Sequence, residues 1–405
     1  SDLRCSSLCA IATNFNFLGE VLAMKKMLYG TTALVAAGML VSGAQAADKI
    51  KMGVGGYFQA FIAAGSDDDG TGEPGANRRS HKVDREGEII FTGKTTLDNG
   101  IQFGVQVQLE AEVCGDQIDE SFMWASGSWG RINVGSENSA AYLMHYNAPA
   151  PSHWAHGLSS PNFSTAAEGT NAVGGYPHSN PNITSDSEKI TYFTPRMAGF
   201  QLGASYTPEN CEEGACGGTY AGFATDNNSS TQSEVVELGV NYVGKLGGAN
   251  VAVSGSWGEA DVEGTATTAE DRREWTVGAR VSMSGFTVGG AYRDDDQGAS
   301  NTNATAGDRT DWNIGVRYAT GPWGVGIQFA HVDIDAGLAG GDDELDAWEI
   351  GGSYNLGPGI VLNGGVQHWD YDDNLNAAGA ENQATVFFVG THLRSEERRV
   401  GKECR

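Results

Sequence analysis

The sequence predicts an all-β chain, a transmembrane barrel of sixteen antiparallel strands with short turns at one end and long loops at the other. Three observations carry that reading. The stretch IQFGVQVQLEAEV, Ile101 to Val113, has Ile, Phe, Val, Val, Leu, Ala and Val at its odd positions and Gln, Gly, Gln, Gln, Glu and Glu at its even ones. Successive side chains on a strand point to opposite faces, so the segment has one apolar and one polar face. The same alternation recurs along the chain, and its repeats are joined alternately by very short and by long connections.

Taken in order, the alternating segments fall near 49–62, 82–97, 101–113, 120–128, 130–137, 188–196, 199–207, 232–244, 250–261, 271–283, 286–296, 309–320, 323–335, 344–356, 360–372 and 382–393. The tight turns between them are built from residues that tolerate sharp reversals. They are Asp98-Asn99-Gly100, Ser126-Gly127-Ser128, Met197-Ala198-Gly199, Leu246-Gly247-Gly248, Ser284-Gly285, Gly321-Pro322 and Gly357-Pro358-Gly359. The longer connections include 63–81, 139–187, 208–231, 262–270, 297–308, 336–343 and 373–381, rich in Asp, Asn, Gly, Thr and Ala.

Parity assigns the two faces. Trp275, Val277, Ala279 and Val281 share one face of their segment, as do Phe286, Val288 and Tyr292, and Trp312, Ile314, Val316 and Tyr318. Arg272, Glu274, Thr276, Arg280, Arg293, Asn313, Arg317 and Gln328 occupy the other. The apolar rows begin or end in Tyr or Trp, as expected of aromatic girdles at two membrane interfaces, so the apolar face meets lipid and the polar face a water-filled lumen. An open sheet edge cannot persist in hydrocarbon, where each unpaired backbone group costs several kcal/mol, so the first and last strands must pair. Sixteen strands enclose a space too wide for side chains to fill.

Composition agrees. Gly numbers 58 of 405 residues, which disfavours a helical chain. The 51 acidic against 25 basic residues give a net charge of -26 and exclude nucleic acid as a partner, because phosphate binding needs clustered Lys and Arg.

Both ends are expected to lie outside the barrel. Met24 opens MKKMLYGTTALVAAGMLVSGAQAADK, with Lys25 and Lys26 before an apolar run and Ala44-Gln45-Ala46 as a small-x-small cleavage pattern. Residues 24–46 therefore read as an export signal, 1–23 as upstream sequence, 47–393 as the barrel, and the charged RSEERRVGKECR of 394–405 as an adapter-derived artefact. Removing the eight basic and five acidic residues outside 47–393 leaves 17 and 46, a net charge of -29.

The segments MKK...AQAAD, DKIKMGVGGYFQAFI, GRINVGSENSAAYLMHY, KITYFTPRMAGFQLGASYTP and ATVFFVGTHL together resemble the general porins of Gram-negative bacteria, specifically the alphaproteobacterial type, over nearly all of 47–393. The resemblance implies an outer-membrane homotrimer in contact with lipid and lipopolysaccharide. It also implies diffusion of small hydrophilic solutes and ions, and a third loop, here 139–187, folded into the barrel to narrow it. A solute-binding third loop, and so a substrate-selective porin, is the alternative. The loop departs from the enterobacterial pattern. It contains no PEFGG and few acids, but carries Tyr142, His145, Tyr146, His153, Trp154, His156 and His178.

By parity Lys94, Arg131, Arg280 and Arg317 point inward, as do Glu88, Glu110, Glu112 and Glu237. With Glu168, His145 and Tyr146 of the third loop they are the candidate pore-lining and constriction residues. Opposed acids and bases across such an opening would orient dipolar solutes, and a strongly acidic chain should favour cations. Asp67, Asp68 and Asp69 form an oxygen-rich cluster at the loop end suited to Ca²⁺ or Mg²⁺, with solvated charge as the plainer reading. His145, His153 and His156 match no fixed metal-ligand spacing. Cys211 and Cys216 sit close enough in NCEEGAC to form a small disulfide loop, and Cys114 is left single. No Ser, His and Asp constellation marks a barrel enzyme.

Overall fold

Sixteen strands follow one another around a closed antiparallel sheet in the computed structural model, which describes residues 49–67, 79–111, 117–152, 158, 177, 179–212, 232–263, 271–296, 308–335, 342–373 and 381–400. They are β1 (Lys51–Asp67), β2 (His81–Thr96), β3 (Gln102–Glu110), β4 (Ile118–Gly127), β5 (Gly130–Ser136), β6 (Glu188–Phe193), β7 (Phe200–Glu209) and β8 (Gln232–Leu246) in the first half. The second half holds β9 (Ala249–Val262), β10 (Arg272–Met283), β11 (Phe286–Asp295), β12 (Arg309–Thr320), β13 (Trp323–Asp335), β14 (Asp342–Gly357), β15 (Ile360–Asp373) and β16 (Glu381–Val400). β1 pairs with β2 on one side and β16 on the other, which leaves no sheet edge.

The turns at the short end explain why alternation can restart so quickly. Met283 pairs with Phe286 across Ser284 and Gly285, whose φ values are +51° and +86°. Ala198 and Gly199, at +50° and +91°, do the same between Met197 and Phe200. Positive φ at both central residues matches the right-handed twist of the flanking strands. The turn after β2 is held by Leu97 N–H donating to Ile101 O at 2.8 Å.

Burial is inverted relative to a water-soluble protein. Val277 is 49% exposed while its inward neighbour Thr276 is 1% exposed, and Val288, Ile314, Val325 and Ile327 are likewise exposed while Glu274, Arg293, Asn313 and Gln328 are buried. Aromatic pairs border this apolar surface. Phe200–Tyr242, Phe286–Tyr318 and Trp323–Tyr354 lie at the short-turn end with ring centroids 4.9, 4.5 and 4.4 Å apart. Trp275–Tyr292 and Trp312–Phe329 lie toward the loop end at 5.2 and 5.3 Å. Hydrocarbon outside and polar groups inside are what such a surface demands.

Two features depart from the sequence-based expectation. β16 continues past Leu393 to Val400, because β1 starts at Lys51 and its first residues pair with the added length, Met52 opposite Val400. The inner wall is also not uniformly polar. Ala330, Val332, Ile334, Leu345, Ala347, Trp369, Tyr371 and Ala384 form an apolar patch inside β13 to β16, and Leu158 of the third loop is buried with them. Burying one such leucine stabilises by about 1.5–3 kcal/mol, so the patch holds the loop to the wall.

Candidate pore and constriction

The connection between β5 and β6, residues 137–187, builds the site. Its α-helical turn α1 (Ala140–Leu143) is capped by Ser139, whose hydroxyl accepts from Tyr142 N–H. From there the chain steps around the inner wall, one strand after another. Ser205 of β7 accepts from Ala140 N–H at 2.8 Å, and Asn241 of β8 donates to Met144 O at 3.1 Å. Ser254 of β9 accepts from Tyr146 N–H at 2.9 Å. Arg280 of β10 donates to Asn147 O at 2.8 Å, and Asn313 of β12 accepts from Ala148 N–H at 3.0 Å. Gln328 of β13 accepts from Leu158 N–H at 3.4 Å.

The returning limb is fixed by the same wall. Asn182 N–H donates to Glu274 at 3.0 Å, and Asn147 donates to Asn180 at 3.0 Å, joining the two limbs. Glu237 takes one hydroxyl from each limb, Ser139 at 2.8 Å and Thr184. Backbone groups inside a barrel must find partners, and here wall side chains supply them.

These contacts sort the sequence-predicted residues. Glu237 is 1% exposed and Arg280 is part-buried, and both bind the loop. His145 turns toward the wall, its Nδ1 3.5 Å from Thr276 Oγ1. Burial, with the Arg280 charge second, pushes that imidazole down to about 3. Arg317 faces inward and donates to Ser353 at 2.7 Å. Glu112, Asp68, Asp69, Glu168, His153, Trp154, His156, His178, Cys114, Cys216 and the side chain of Asp67 lie outside the described residues. Cys211 is disulfide-bonded.

Opposite the loop, the inner face of β1 to β5 borders the remaining lumen. Lys94 and Arg131 sit over the Trp124 ring at 5.7 and 4.7 Å from its centroid, and Arg131 Nε donates to Asn133 at 2.6 Å. Neither cation forms an ion pair with a carboxylate among the described residues. Tyr57 OH lies 2.8 Å from a Glu86 oxygen and 2.9 Å from a Glu88 oxygen, with one proton to donate between them, and carboxylate oxygens of Glu88, Glu110 and Asp119 lie within 4.8 Å of one another. Acids and bases thus share one stretch of wall.

Sequence reasoning missed a second charged group. Inside β10 to β12, Arg293 meets Glu274, Asp295 and Asp311 at 2.7, 2.5 and 3.2 Å, flanked by Arg272 on Asp295 and Arg309 on Asp311. Cross-strand register, Arg293 opposite Asp311 and Asp295 opposite Glu274 and Arg309, was the signal that could have found it. Three cations balance three carboxylates, so this cluster adds little net field to the lumen.

At the neck of the loop Lys189 donates to Ser185 O at 2.8 Å, to Ser187 O at 2.6 Å and to Glu137 O. Burial pushes the carboxyls of both Glu137 and Asp186 up to about 7. The Asn133 hydrogen bond opposes the shift at Glu137, and Asp119 and Glu120 add to it at Asp186.

A closed sixteen-stranded barrel with lipid-compatible exterior, polar interior and an inward loop defines an outer-membrane diffusion channel. The sequence profile of the Gram-negative porin family matches residues 30–374, and the chain belongs to that family, which is non-enzymatic. No curated protein sequence matches. Among solved structures the fold is similar to a porin at 18% identity, covering 84% of this chain and 100% of that one, with a TM-score of 0.54. It is also similar to an anion-selective porin from Comamonas acidovorans, at 17% identity over 86% of this chain and 99% of that one, TM-score 0.55. OmpT of Vibrio cholerae matches at 12% identity over 87% and 100%, TM-score 0.55.

Proposed function

We propose that this porin is a general diffusion channel for small hydrophilic solutes, cation-preferring and assembled as a homotrimer. The observation that carries the general-diffusion reading is the orientation of the third loop. Its described polar groups bind the wall from β7 to β13, and His145 and the Tyr146 N–H, which a solute-binding loop would turn to the lumen, face Thr276 and Ser254. Cation preference is supported by the net charge of -26 and by the inner face of β2 to β5, where Glu86, Glu88, Glu110 and Glu120 outnumber Lys94 and Arg131. The trimer is supported by the family, whose members typically assemble so.

Liposome swelling separates this reading from the substrate-selective one. Uncharged sugars of increasing size should enter at rates that fall smoothly with size. Saturable entry of one solute, with exclusion of others of equal size, would favour a solute-binding loop.

A further inference from the structure

Inward-facing glycines recur under the third loop, and each stands where a side chain would meet it. A Cβ at Gly278 of β10 would lie 1.7 Å from the carbonyl oxygen of Tyr146, and one at Gly239 of β8 would lie 2.9 Å from that of Ala140. At Gly203 of β7 it would lie 2.6 Å from Met144 Sδ, and at Gly315 of β12 3.3 Å from Ala148 Cβ. At Gly326 of β13 and Gly351 of β14 it would lie 3.1 Å from Pro151 Cα and 2.8 Å from Ser152 Cβ. Register makes the row continuous in places, with Gly203 opposite Gly239 and Gly326 opposite Gly351.

The glycines alternate with the groups that hold the loop. ELGVN (237–241), TVGAR (276–280) and NIGVR (313–317) each place a glycine between two inward polar residues while Leu238, Val277 and Ile314 face outward. In β8 and β10 the polar residues flanking the glycine approach the loop on both sides: Glu237 and Asn241 bond it, as does Arg280, and Thr276 stands 3.5 Å from His145. In β12 Asn313 bonds it. The anchors set where along the wall the loop attaches. The missing side chains set how closely it can lie.

We propose that Gly278 and Gly315 are positioning residues of the channel. Together with their neighbours they form a bare-backbone seat that lets residues 140–152 lie flat on the wall, and the depth of that seat sets the width of the passage. The proposal rests on the reading of the barrel as an open pore. A side chain at the seat must lift the loop into the lumen, because the obstructing atom at Gly278 is backbone that cannot rotate aside.

The test compares Gly278→Ala with Gly255→Ala, an outward control whose Cβ would meet nothing closer than 3.8 Å. Folding is judged by heat-modifiable gel migration, and the readout is single-channel conductance. Gly278→Ala should lower conductance at least twofold and Gly255→Ala should leave it unchanged; a folded Gly278→Ala barrel with parental conductance overturns the seat. A second variant keeps the proposal testable if Gly278→Ala does not fold. Ala148→Cys with Gly315→Cys, in a chain whose six cysteines (Cys5, Cys9, Cys114, Cys211, Cys216 and Cys404) are serine, brings two Cβ atoms to 3.3 Å, near the ~3.8 Å typical of a disulfide. Spontaneous cross-linking supports the seat, because the two Cβ atoms meet only when the loop lies on the wall. A folded barrel that does not cross-link overturns it. Should the parental barrel carry no current, the pore reading fails, and the disulfide yield still decides whether the loop occupies the seat.

Discussion

Lys189 holds the third loop closed at its neck: its ammonium lies 2.8 Å from the carbonyl oxygen of Ser185 at the end of the loop, and the same group reaches Glu137 O at its beginning. Only 4% of Lys189 is exposed, so water does not substitute for it. Lys189→Met keeps the stem and removes the donors, leaving three carbonyls short of a charged partner. The loss should be about 2–3 kcal/mol, felt locally. Limited proteolysis of the folded barrel should then cut within 137–187, where the parent resists; an uncut loop would show that the clasp does not restrain it.

The same neck makes the channel respond to pH. Glu137 and Asp186 titrate near 7, so both are neutral at pH 5 and charged at pH 8.5. Their folded values lie above the ordinary carboxylate range, so the folded neck binds protons that the unfolded chain has released. Its stability therefore falls as pH rises from about 4 to about 7. Cation preference should rise over pH 6 to 8 as two negative charges appear. Glu137→Gln with Asp186→Asn should flatten that rise, and an equally steep profile in the double variant would assign the titration elsewhere. His145, held near 3, stays neutral throughout.

Arg293 is the hub of the charge cluster inside β10 to β12. Replacing it with Met leaves Glu274 without its closest cation and Asp295 and Asp311 with one each. Removing one member of a buried charge group costs about 3–5 kcal/mol, so the unfolding temperature of the barrel in detergent should fall clearly. A parental unfolding temperature would mean that water in the lumen already solvates these carboxylates.

Lys94 and Arg131 are positive charges on the inner wall that form no ion pair with a carboxylate among the described residues. Neutralising both, Lys94→Gln with Arg131→Gln, should raise the cation-to-anion permeability ratio severalfold at low salt, where screening is weakest. An unchanged ratio would place the controlling charges at the loop end.

Much of this architecture is legible from alternation alone. Trp275 to Val281 facing out and Glu274 to Arg280 facing in follow from period two, and Ser284-Gly285 announces its hairpin. Parity specifies a face, however, and not what covers it. Period two places Glu237 and Arg280 inward, yet their roles as anchors depend on a loop more than forty residues distant in sequence. Parity places Ala330, Val332 and Ile334 inward but not against Leu158, which buries against them from a segment without periodicity. The glycines under the loop were visible as composition, and only the loop's path gives them meaning.

A water-filled pore that prefers cations declares itself in planar-bilayer conductance across a salt gradient. Large steps arriving in groups of three, with a reversal potential of cation-selective sign that grows as salt is lowered, are the predicted result. An anion-selective reversal potential at low salt would contradict the assigned selectivity, and folded barrels that give no steps would contradict the pore itself.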